Sequence, residues 1–318
     1  MSLPEFVRPI TASPDYHWFG YYDKLQFDPT CTKVLGMEVD FEHRSPTDDD
    51  TIAIGIIDLA DNDRWTQIAT TSAWCWQQGC MLQWRPDSDT EIIWNDREGD
   101  RFISHIYNTQ TGEKRTLPQA IYTLSPDGKT AIGADFRRIN HMRPGYGYAG
   151  IPDPNQDVLA PEDAGIYTVD LDSGESHQII SIAEASAIPY PHKDLSEAKH
   201  YFNHLLFNTD GDRFIFLHRW RFGDSGFDTR MLTAAANGSD IHIIDDYGKM
   251  SHFIWRDPEH ILGWAYHPSS DNKFYLYQDG SQDVEVVGNG IMTVNGHCTY
   301  LPGNEWILND TYPNKEDR

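Results

Sequence analysis

Three histidines recur at one equivalent place along the chain. His204, His252 and His297 each precede the turn of a short predicted hairpin by five residues. Only 14 of the 318 residues are histidine, so composition alone does not account for the repetition. Neutral imidazoles that converge on one point are ligands for Mn, Zn, Fe or Ni rather than for Ca or Mg. The pattern predicts a divalent-metal site, with histidines that only line a channel as the alternative.

A second group combines a histidine with arginines. His218 lies in "LHRWRFGDSGFDTR", together with Arg219, Arg221 and Arg230. The whole chain is acidic, with 49 Asp and Glu against 25 Lys and Arg and a net charge of −24. This charge argues against nucleic acid or an anionic membrane as a partner. Because arginine forks bind carboxylates, the cluster predicts a pocket for an anionic substrate, with surface ion pairs to neighbouring aspartates as the alternative.

The elements that must position these residues are hairpins. Six segments have a Pro, Asp or Gly turn between two short strands: 21–39, 79–96, 120–136, 202–220, 251–268 and 296–313. Further hairpins lie between them, which gives four strands per unit and is typical of β-propeller blades. The sequence therefore predicts an all-β fold, one β-propeller domain over 1–318, with about five and a half to six blades readable. Because the sixth unit has a single hairpin, we expect a closing C-terminal blade to be missing.

Equivalent positions of successive blades form a ring around the central channel. The first blade has Lys24 at the place of the three histidines, while the second and third have Met81 and Ile121. The segment 137–165 is rich in Gly and Pro and too long for a passive connection, so it is predicted to be a loop that covers one face. The best candidate for a short helix is "DLSEAKHYF", residues 194–202.

Targeting and redox signals are weak. The N-terminus lacks the pattern of a signal peptide, and no stretch has 18 consecutive apolar residues, which makes a cytoplasmic location the default expectation. The four cysteines show neither CxxC spacing nor a disulfide framework, which fits a reducing compartment. The oligomeric state stays open.

The order "NHLLF…FLHRW…FDTRM", then "SHFIW", then "GHCTYLPGN" resembles the oligogalacturonate lyase family, polysaccharide lyase family 22. The resemblance extends over nearly the whole chain. It implies a seven-bladed propeller in the cytoplasm that cleaves short pectic oligosaccharides by β-elimination with a manganese-like ion. It also implies a metal ligand at His252, a base at His218 and a charge-stabilising arginine at Arg230. The family's Gln-x-x-His-x-His metal motif is absent here, so His204 and His297 are either replacement ligands or groups that support them.

This chemistry suits the residue types. Elimination from a uronide removes a weakly acidic proton next to a carboxylate, and positive charge on that carboxylate stabilises the developing carbanion. We predict His218 as the base, Arg230 with Arg219 on the carboxylate, and manganese on His252, His204 and His297. Candidates for substrate binding are Lys24, Tyr22, Trp220 and Arg143, and Tyr21 and Trp18 either stack on sugar rings or pack in the core.

Three other functions fit the same sequence. A propeller glycoside hydrolase would use two carboxylates, which Asp96, Asp135 and Asp310 could supply. A non-catalytic propeller would serve as a binding or interaction protein, with the histidines lining its channel. A lyase with altered specificity would act on another uronide, such as a glucuronate-linked sugar.

Overall fold

The computed structural model describes residues 7–312, which form five four-stranded antiparallel sheets and one two-stranded sheet. Each sheet is a blade, and its strands pair in chain order. Blade 1 consists of β1 (Tyr16–Trp18), β2 (Lys33–Val39), β3 (Ile52–Asp58) and β4 (Arg64–Thr71). Blade 2 consists of β5 (Gln83–Trp84), β6 (Glu91–Glu98), β7 (Arg101–Asn108) and β8 (Lys114–Leu117). Blade 3 consists of β9 (Thr123–Leu124), β10 (Thr130–Ala134), β11 (Gly165–Asp170) and β12 (Ser176–Ser181).

The remaining blades follow the same plan. Blade 4 consists of β13 (Lys199–Phe207), β14 (Arg213–Arg221), β15 (Phe227–Ala235) and β16 (His242–Gly248). Blade 5 consists of β17 (Met250–Trp255), β18 (His260–His267), β19 (Asp271–Gln278) and β20 (Val284–Val287). The sixth, two-stranded blade consists of β21 (Cys298–Tyr300) and β22 (Ile307–Asn309). The predicted all-β propeller is confirmed, with the number of blades that the hairpin count gave.

The hydrophobic core lies between successive blades. Leu217 and Met231 of blade 4 belong to one cluster with Phe253 and Tyr275 of blade 5. Another cluster joins blades 2, 3 and 4. Because the strands are antiparallel, the connections between blades and those between the second and third strands of a blade emerge on one face, which we call the upper face.

Residues 7–312 contain two short helices, neither of them at the predicted place. α1 (Phe136–Met142) begins the 137–165 insertion, where the Asp135 side chain accepts hydrogen bonds from the backbone of Arg137 and Arg138. The insertion is therefore a helix followed by irregular chain rather than a loop throughout. α2 (Ile182–Ala187) starts with a capping box between Ser181 and Glu184.

The predicted helix at 194–202 is wrong. Its second half is the start of β13, a strand that is buried along most of its length. A strand that packs on both faces has a near-continuous apolar run instead of alternating apolar and polar residues. The start of β13 therefore lacks the alternation that indicates a strand, and its sequence also fits a helical turn. Neither helix in the range 7–312 has the length and apolar run that crossing a bilayer requires.

Candidate active site

Five of the predicted residues meet at the centre of the propeller. They are Tyr21, Tyr22, His204, His252 and His297, which we call the central cluster. The Tyr21 ring stacks on His204 with ring centres 5.0 Å apart, and it meets His297 edge-on at 5.2 Å. A ring from the connection between β1 and β2 of blade 1 therefore contacts histidines from blade 4 and from the segment before blade 6. The expected convergence of the histidines on the channel is present.

A β-bulge turns His204 toward the centre. The register of β13 against β14 slips between Asn203 and Leu205, and His204 between them has a φ of +52°. Such a left-handed conformation is uncommon for a residue other than glycine, and bulges often re-aim a side chain. The His204 N–H donates to Asn203 Oδ1 (2.8 Å) and to the Tyr122 hydroxyl (3.1 Å), which holds the bulge in place.

His252 and His297 face each other, with ring centres 4.2 Å apart. His252 Nδ1 lies 3.0 Å from Asn295 Oδ1, and His297 Nδ1 lies 2.8 Å from Asp310 Oδ2. Because these oxygens accept hydrogen bonds, each Nδ1 carries the proton and each Nε2 has a lone pair. His297 Nε2 is buried and has no hydrogen-bond partner among residues 7–312, whereas His252 Nε2 lies 3.3 Å from the Tyr312 hydroxyl.

The three histidines do not form the predicted three-ligand metal site. Gln78 Nε2 lies 3.1 Å from His204 Nδ1 and donates to it, so the proton of His204 is on Nε2 and no lone pair is left there. Among residues 7–312, no three His, Cys, Asp or Glu side chains are placed to hold a metal ion. Two imidazoles fall short of the three protein ligands typical of a catalytic metal. We therefore derive no chemical step through a metal.

Burial sets the protonation of the central cluster. It lowers the pKa of His252 to about 4, with a further contribution from the neighbouring His297, and lowers the pKa of His204 well below its ordinary value. Burial also raises the pKa of the Tyr21 phenol well above its ordinary value. At neutral pH His204 and His252 are consequently neutral imidazoles beside the protonated phenol of Tyr21.

Two arginines bring positive charge to this centre. Arg219 is only 3% exposed. Its Nε donates to Thr229 Oγ1 (3.2 Å), while its Nη1 is buried and no described residue accepts a hydrogen bond from it. Arg143, from the insertion, donates to the Tyr146 hydroxyl (2.8 Å). Both guanidinium groups lie over the Phe227 ring, at 4.8 Å for Arg219 and 4.5 Å for Arg143. Within the described chain these partners are neutral, so both arginines are available to an anion.

The centre also holds most of the unsatisfied buried polar atoms. Eleven buried side-chain polar atoms in the range 7–312 lack a hydrogen-bond partner. Six belong to this region: Asp23 Oδ1, Gln78 Oε1, Tyr201 Oη, Asn203 Nδ2, Arg219 Nη1 and His297 Nε2. Because buried polar groups are nearly always paired, such a concentration indicates a place for a polar ligand.

Other predicted binding residues have structural partners. Lys24 is buried, with Nζ 3.0 Å from Asp23 Oδ2 and 5.1 Å from the centre of the Tyr122 ring. The Tyr22 hydroxyl donates to the Phe253 carbonyl (2.6 Å) and accepts from the Phe253 N–H (3.0 Å), so it joins the start of blade 1 to blade 5. Trp18 packs against Trp74 and Trp76.

The predicted catalytic roles of His218 and Arg230 need correction. Both are fully buried, and they lie opposite each other on β14 and β15. Arg230 Nε donates to His218 Nδ1 (3.1 Å), so the proton of His218 is on Nε2, which lies 2.9 Å from His200 Nδ1 and donates to it. His218 therefore has neither a free lone pair nor access to a substrate.

Arg230 likewise uses its nitrogens in hydrogen bonds within the fold. Its terminal nitrogens donate to the carbonyls of Ala185 (2.7 Å), Ile188 (3.1 Å) and Pro189 (3.2 Å), at and beyond the C-terminal end of α2. Carbonyls at a helix C-terminus favour a cation. Trp220 is also fully buried, with its ring 4.8 Å from that of Tyr190, so it offers no face to a sugar. These residues join blades 3 and 4.

The three carboxylates of the hydrolase alternative are held by separate donors. Asp96 accepts from the backbone of Ser72 (3.1 Å) and Arg97 (2.8 Å), Asp135 caps α1, and Asp310 binds His297. Within the described residues, no contact joins two of them. Nothing in the geometry favours an acid and base pair of carboxylates.

Sequence reasoning missed several residues around the site. Tyr122, Gln78 and Asn203 form a hydrogen-bonded group beneath His204, with Gln78 Nε2 2.6 Å from the Tyr122 hydroxyl and that hydroxyl 3.2 Å from Asn203 Oδ1. The Phe227 ring lies under the guanidinium groups of Arg219 and Arg143, and the Tyr146 hydroxyl accepts a hydrogen bond from Arg143. Asn203 is adjacent to His204 in the sequence and Tyr146 lies close to Arg143, whereas no sequence signal points to Gln78 or Tyr122.

Neither the models of known protein families nor the curated proteins match this chain. Solved structures do. An oligogalacturonate lyase from Vibrio parahaemolyticus superposes with a TM-score of 0.63 over 95% of this chain and 73% of that chain, at 13% identity. The likeness shows the fold. The β-propeller domain of the Trilobed protease from Pyrococcus furiosus has a TM-score of 0.48 over 89% of this chain and 75% of that one, at 13% identity. A putative TolB from Agrobacterium tumefaciens has a TM-score of 0.47 over 88% and 83%, at 14% identity.

Proposed function

We propose that this protein is a lyase that cleaves small uronic-acid oligosaccharides by β-elimination. The observation that carries the proposal is Arg219, a buried guanidinium at the propeller centre whose Nη1 has no partner in the described chain. A chain with a net charge of −24 has concentrated positive charge at one internal point, beside the histidines of the central cluster. A carboxylate next to the scissile bond is the ligand that this arrangement suits.

In this mechanism Arg219 and Arg143 bind the carboxylate of the sugar and stabilise the charge that develops on it. A donor held in place before the reaction contributes more than one that must reorganise. Both guanidinium groups are already fixed over Phe227, so the carboxylate meets a preformed site.

The proton acceptor that we assign is His297 Nε2. It has a lone pair because Asp310 holds the proton on Nδ1. None of the described residues donates to it, whereas His252 Nε2 is near the Tyr312 hydroxyl. His297 takes the proton from C5, the electron pair forms the C4=C5 double bond, and the C4–O bond breaks. Tyr21, whose phenol keeps its proton, protonates the leaving oxygen. Transfer of the proton from His297 to Tyr21 through water then restores both groups.

The similarity in fold to an oligogalacturonate lyase supports a relation to lyases and leaves the substrate open. Galacturonate and glucuronate oligosaccharides carry the same carboxylate beside C5, and loops such as 137–165 would distinguish them. A divalent metal, with manganese as the expected ion, stays a prediction. A ligand set for it would need at least one group besides His252 and His297.

The test is ultraviolet absorbance during incubation with di-, tri- and tetrasaccharides of galacturonate and of glucuronate. Each is run as purified, with added Mn²⁺ and with a chelator. A lyase produces an unsaturated uronide that absorbs, whereas a hydrolase releases reducing ends without absorbance. Absorbance that rises with one series supports the proposal, and its loss with the chelator would add a metal. Reducing ends without absorbance, or no product from any oligosaccharide, would overturn it.

A further inference from the structure

His204 reaches the centre from blade 4, and residues from other parts of the chain fix the hydrogen bonding of its ring. Gln78 lies in the connection between β4 and β5, 126 residues away in sequence, and is fully buried. Its Nε2 donates to His204 Nδ1 (3.1 Å) and to the Tyr122 hydroxyl (2.6 Å). Because the ring of His204 is neutral, a donor at Nδ1 puts its single ring proton on Nε2.

The hydrogen bonds beneath His204 form one connected network. The Tyr122 hydroxyl accepts from Gln78 Nε2 and from the His204 N–H (3.1 Å), so its own proton goes to Asn203 Oδ1 (3.2 Å). Asn203 Oδ1 also accepts from the His204 N–H (2.8 Å). Because these bonds meet at one hydroxyl, reversing the direction of one of them requires the others to change. The network therefore holds the His204 ring in one orientation and one tautomer.

The proton on Nε2 faces the accessible part of the centre. His204 is 8% exposed, and none of the described residues is a hydrogen-bond partner of its Nε2. This nitrogen is not one of the eleven buried atoms that lack a partner, so solvent reaches it. Arg219 Nη2 meets the same two conditions, whereas Arg219 Nη1 is buried. An N–H group that the fold fixes and leaves accessible is suited to an oxygen of a ligand.

Aromatic contacts place this N–H near the two arginines of the centre. The Tyr146 ring meets the His204 ring edge-on, with ring centres 6.1 Å apart, and its centre lies 3.7 Å from the Arg143 guanidinium carbon. Arg143 and Arg219 share the Phe227 ring. Burial lowers the pKa of His204, and the charges of Arg219 and Arg143 lower it further because both groups are close. His204 therefore adds a neutral donor beside two charged ones.

We propose that His204 Nε2 donates to the carboxylate of the bound sugar, as a third donor beside Arg219 and Arg143, and that Gln78 is the positioning residue that keeps the proton there. This assignment rests on the proposed function and adds the residue that orients the carboxylate. A guanidinium group attracts an anion from several directions, whereas an N–H on a fixed ring binds an oxygen along one line. The assignment also accounts for the absence of a metal ligand at His204, whose lone pair on Nδ1 is used by Gln78.

Long-range ¹H–¹⁵N spectra of the histidine rings at pH 8 test the tautomer. The wild type should show a protonated Nε2 and an unprotonated Nδ1 for His204, and His204→Asn, which tolerates the positive φ, assigns these signals by their loss. In Gln78→Glu a carboxylate replaces the donor, so the proton should move to Nδ1. The matched control is Gln77→Glu, which adds the same charge at the half-buried neighbour. A wild-type proton on Nδ1 would mean that Gln78 presents Oε1 to the ring, and it would overturn the assignment.

A variant without a new charge covers the case in which Gln78→Glu does not fold. Gln78→Met removes the donor from Nδ1, so the share of the Nε2 tautomer of His204 should fall below that of the wild type. An unchanged share would show that Gln78 does not position the proton.

Titration of the same spectra with galacturonate and glucuronate tests the contact, with galactose as the uncharged control. A uronate should shift the His204 Nε2–H signal of the wild type, and galactose should not. Gln78→Glu should weaken uronate binding about tenfold more than Gln77→Glu does, the loss of one hydrogen bond to a charged group. Equal losses in the two variants would be an effect of charge alone and would remove Gln78 from its positioning role.

The outcomes separate this assignment from the lyase reaction. If unsaturated product forms but no uronate moves the His204 signal, the contact is wrong and the reaction stands. If a uronate moves the signal and no oligosaccharide gives product, the carboxylate site stands and the lyase assignment fails. No shift with either uronate or with their oligosaccharides overturns the contact in both cases.

Discussion

His218 and Arg219 are neighbours on β14, yet they face two different environments. Successive side chains of a strand point to opposite faces. His218 lies on the face of β14 that points toward blade 3. On that face Arg230 and His200, from the neighbouring strands of blade 4, form hydrogen bonds with both of its ring nitrogens. Arg219 points away from blade 3, toward Phe227 and the centre, where its Nη1 has no partner in the part of the chain that the structure describes. Both are buried and polar, so burial alone does not mark a functional residue.

What differs is whether the buried group is satisfied. A fully satisfied polar network holds a fold together, whereas a buried group that lacks a partner is destabilising unless a ligand or an ordered water supplies one. The comparison therefore predicts that changes on the His218 side reduce stability and that changes on the Arg219 side reduce activity.

The largest effect is expected for Arg230→Met. The change leaves His218 Nδ1 and the carbonyls of Ile188 and Pro189 without the donor they have in the described chain, so the free energy of unfolding should fall by about 4 kcal/mol. Urea unfolding at pH 7 measures it. Activity per folded molecule should stay near that of the wild type. A variant that is as stable as the wild type but inactive would instead place Arg230 in the reaction.

Arg219→Met should have the opposite effect to Arg230→Met, a large loss of activity with little loss of stability. Loss of the group that binds the carboxylate should lower kcat/KM by about 10²- to 10³-fold. The unfolding midpoint should change little because, among residues 7–312, the guanidinium has a single hydrogen bond to lose. Arg221→Met, two residues further along β14, is the matched control. Equal losses of activity in both variants would contradict a specific role for Arg219.

We expect acid to lower the free energy of unfolding through two buried histidines, His200 beside His218 and His252 in the central cluster. Burial lowers the pKa of His200 and of His252 to about 4, from 6.5 in an unfolded chain. Between these values the unfolded state binds protons that the folded state excludes. The stability is therefore complete above pH 6.5 and is lost as the pH falls to 4, by about 2 to 3 kcal/mol for each histidine.

Denaturant unfolding at pH 7, 5.5 and 4.5 tests this expectation. His200→Gln and His252→Gln should each flatten part of the pH dependence of the unfolding free energy. A wild-type stability that is constant over the range would contradict the burial of neutral imidazoles at these two places.

The smallest effect is expected for Tyr22→Phe. The loss of the hydroxyl leaves the Phe253 N–H and carbonyl unpaired at the junction of blades 1 and 5 and should cost about 1 kcal/mol. Thermal unfolding measures the change, and Tyr16→Phe, on the exposed first residue of β1, is the control. A large loss of activity with unchanged stability would instead place Tyr22 in the reaction.

Much of the fold was predictable because hairpins are local. Turns such as "SPDG" at 125–128 and "TDG" at 209–211 fix where a strand reverses, and the segments on either side form strands as expected. The recurrence of His204, His252 and His297 likewise predicted that they share the centre. The missed elements, α1 and the start of β13, are those in which tertiary packing overrides a weak local pattern.

The sequence by itself determined the blade architecture, the acidic surface and the set of histidines that reach the channel. Only the tertiary structure decided which polar residues are satisfied. A strand that is buried on both faces has no alternation to show which neighbour each side chain meets, and a shift of one residue exchanges the two sides. The sequence therefore predicts His218 as the base and Arg219 only as a second arginine on the carboxylate. In the fold, His218 is buried between blades 3 and 4, and Arg219 lies at the centre.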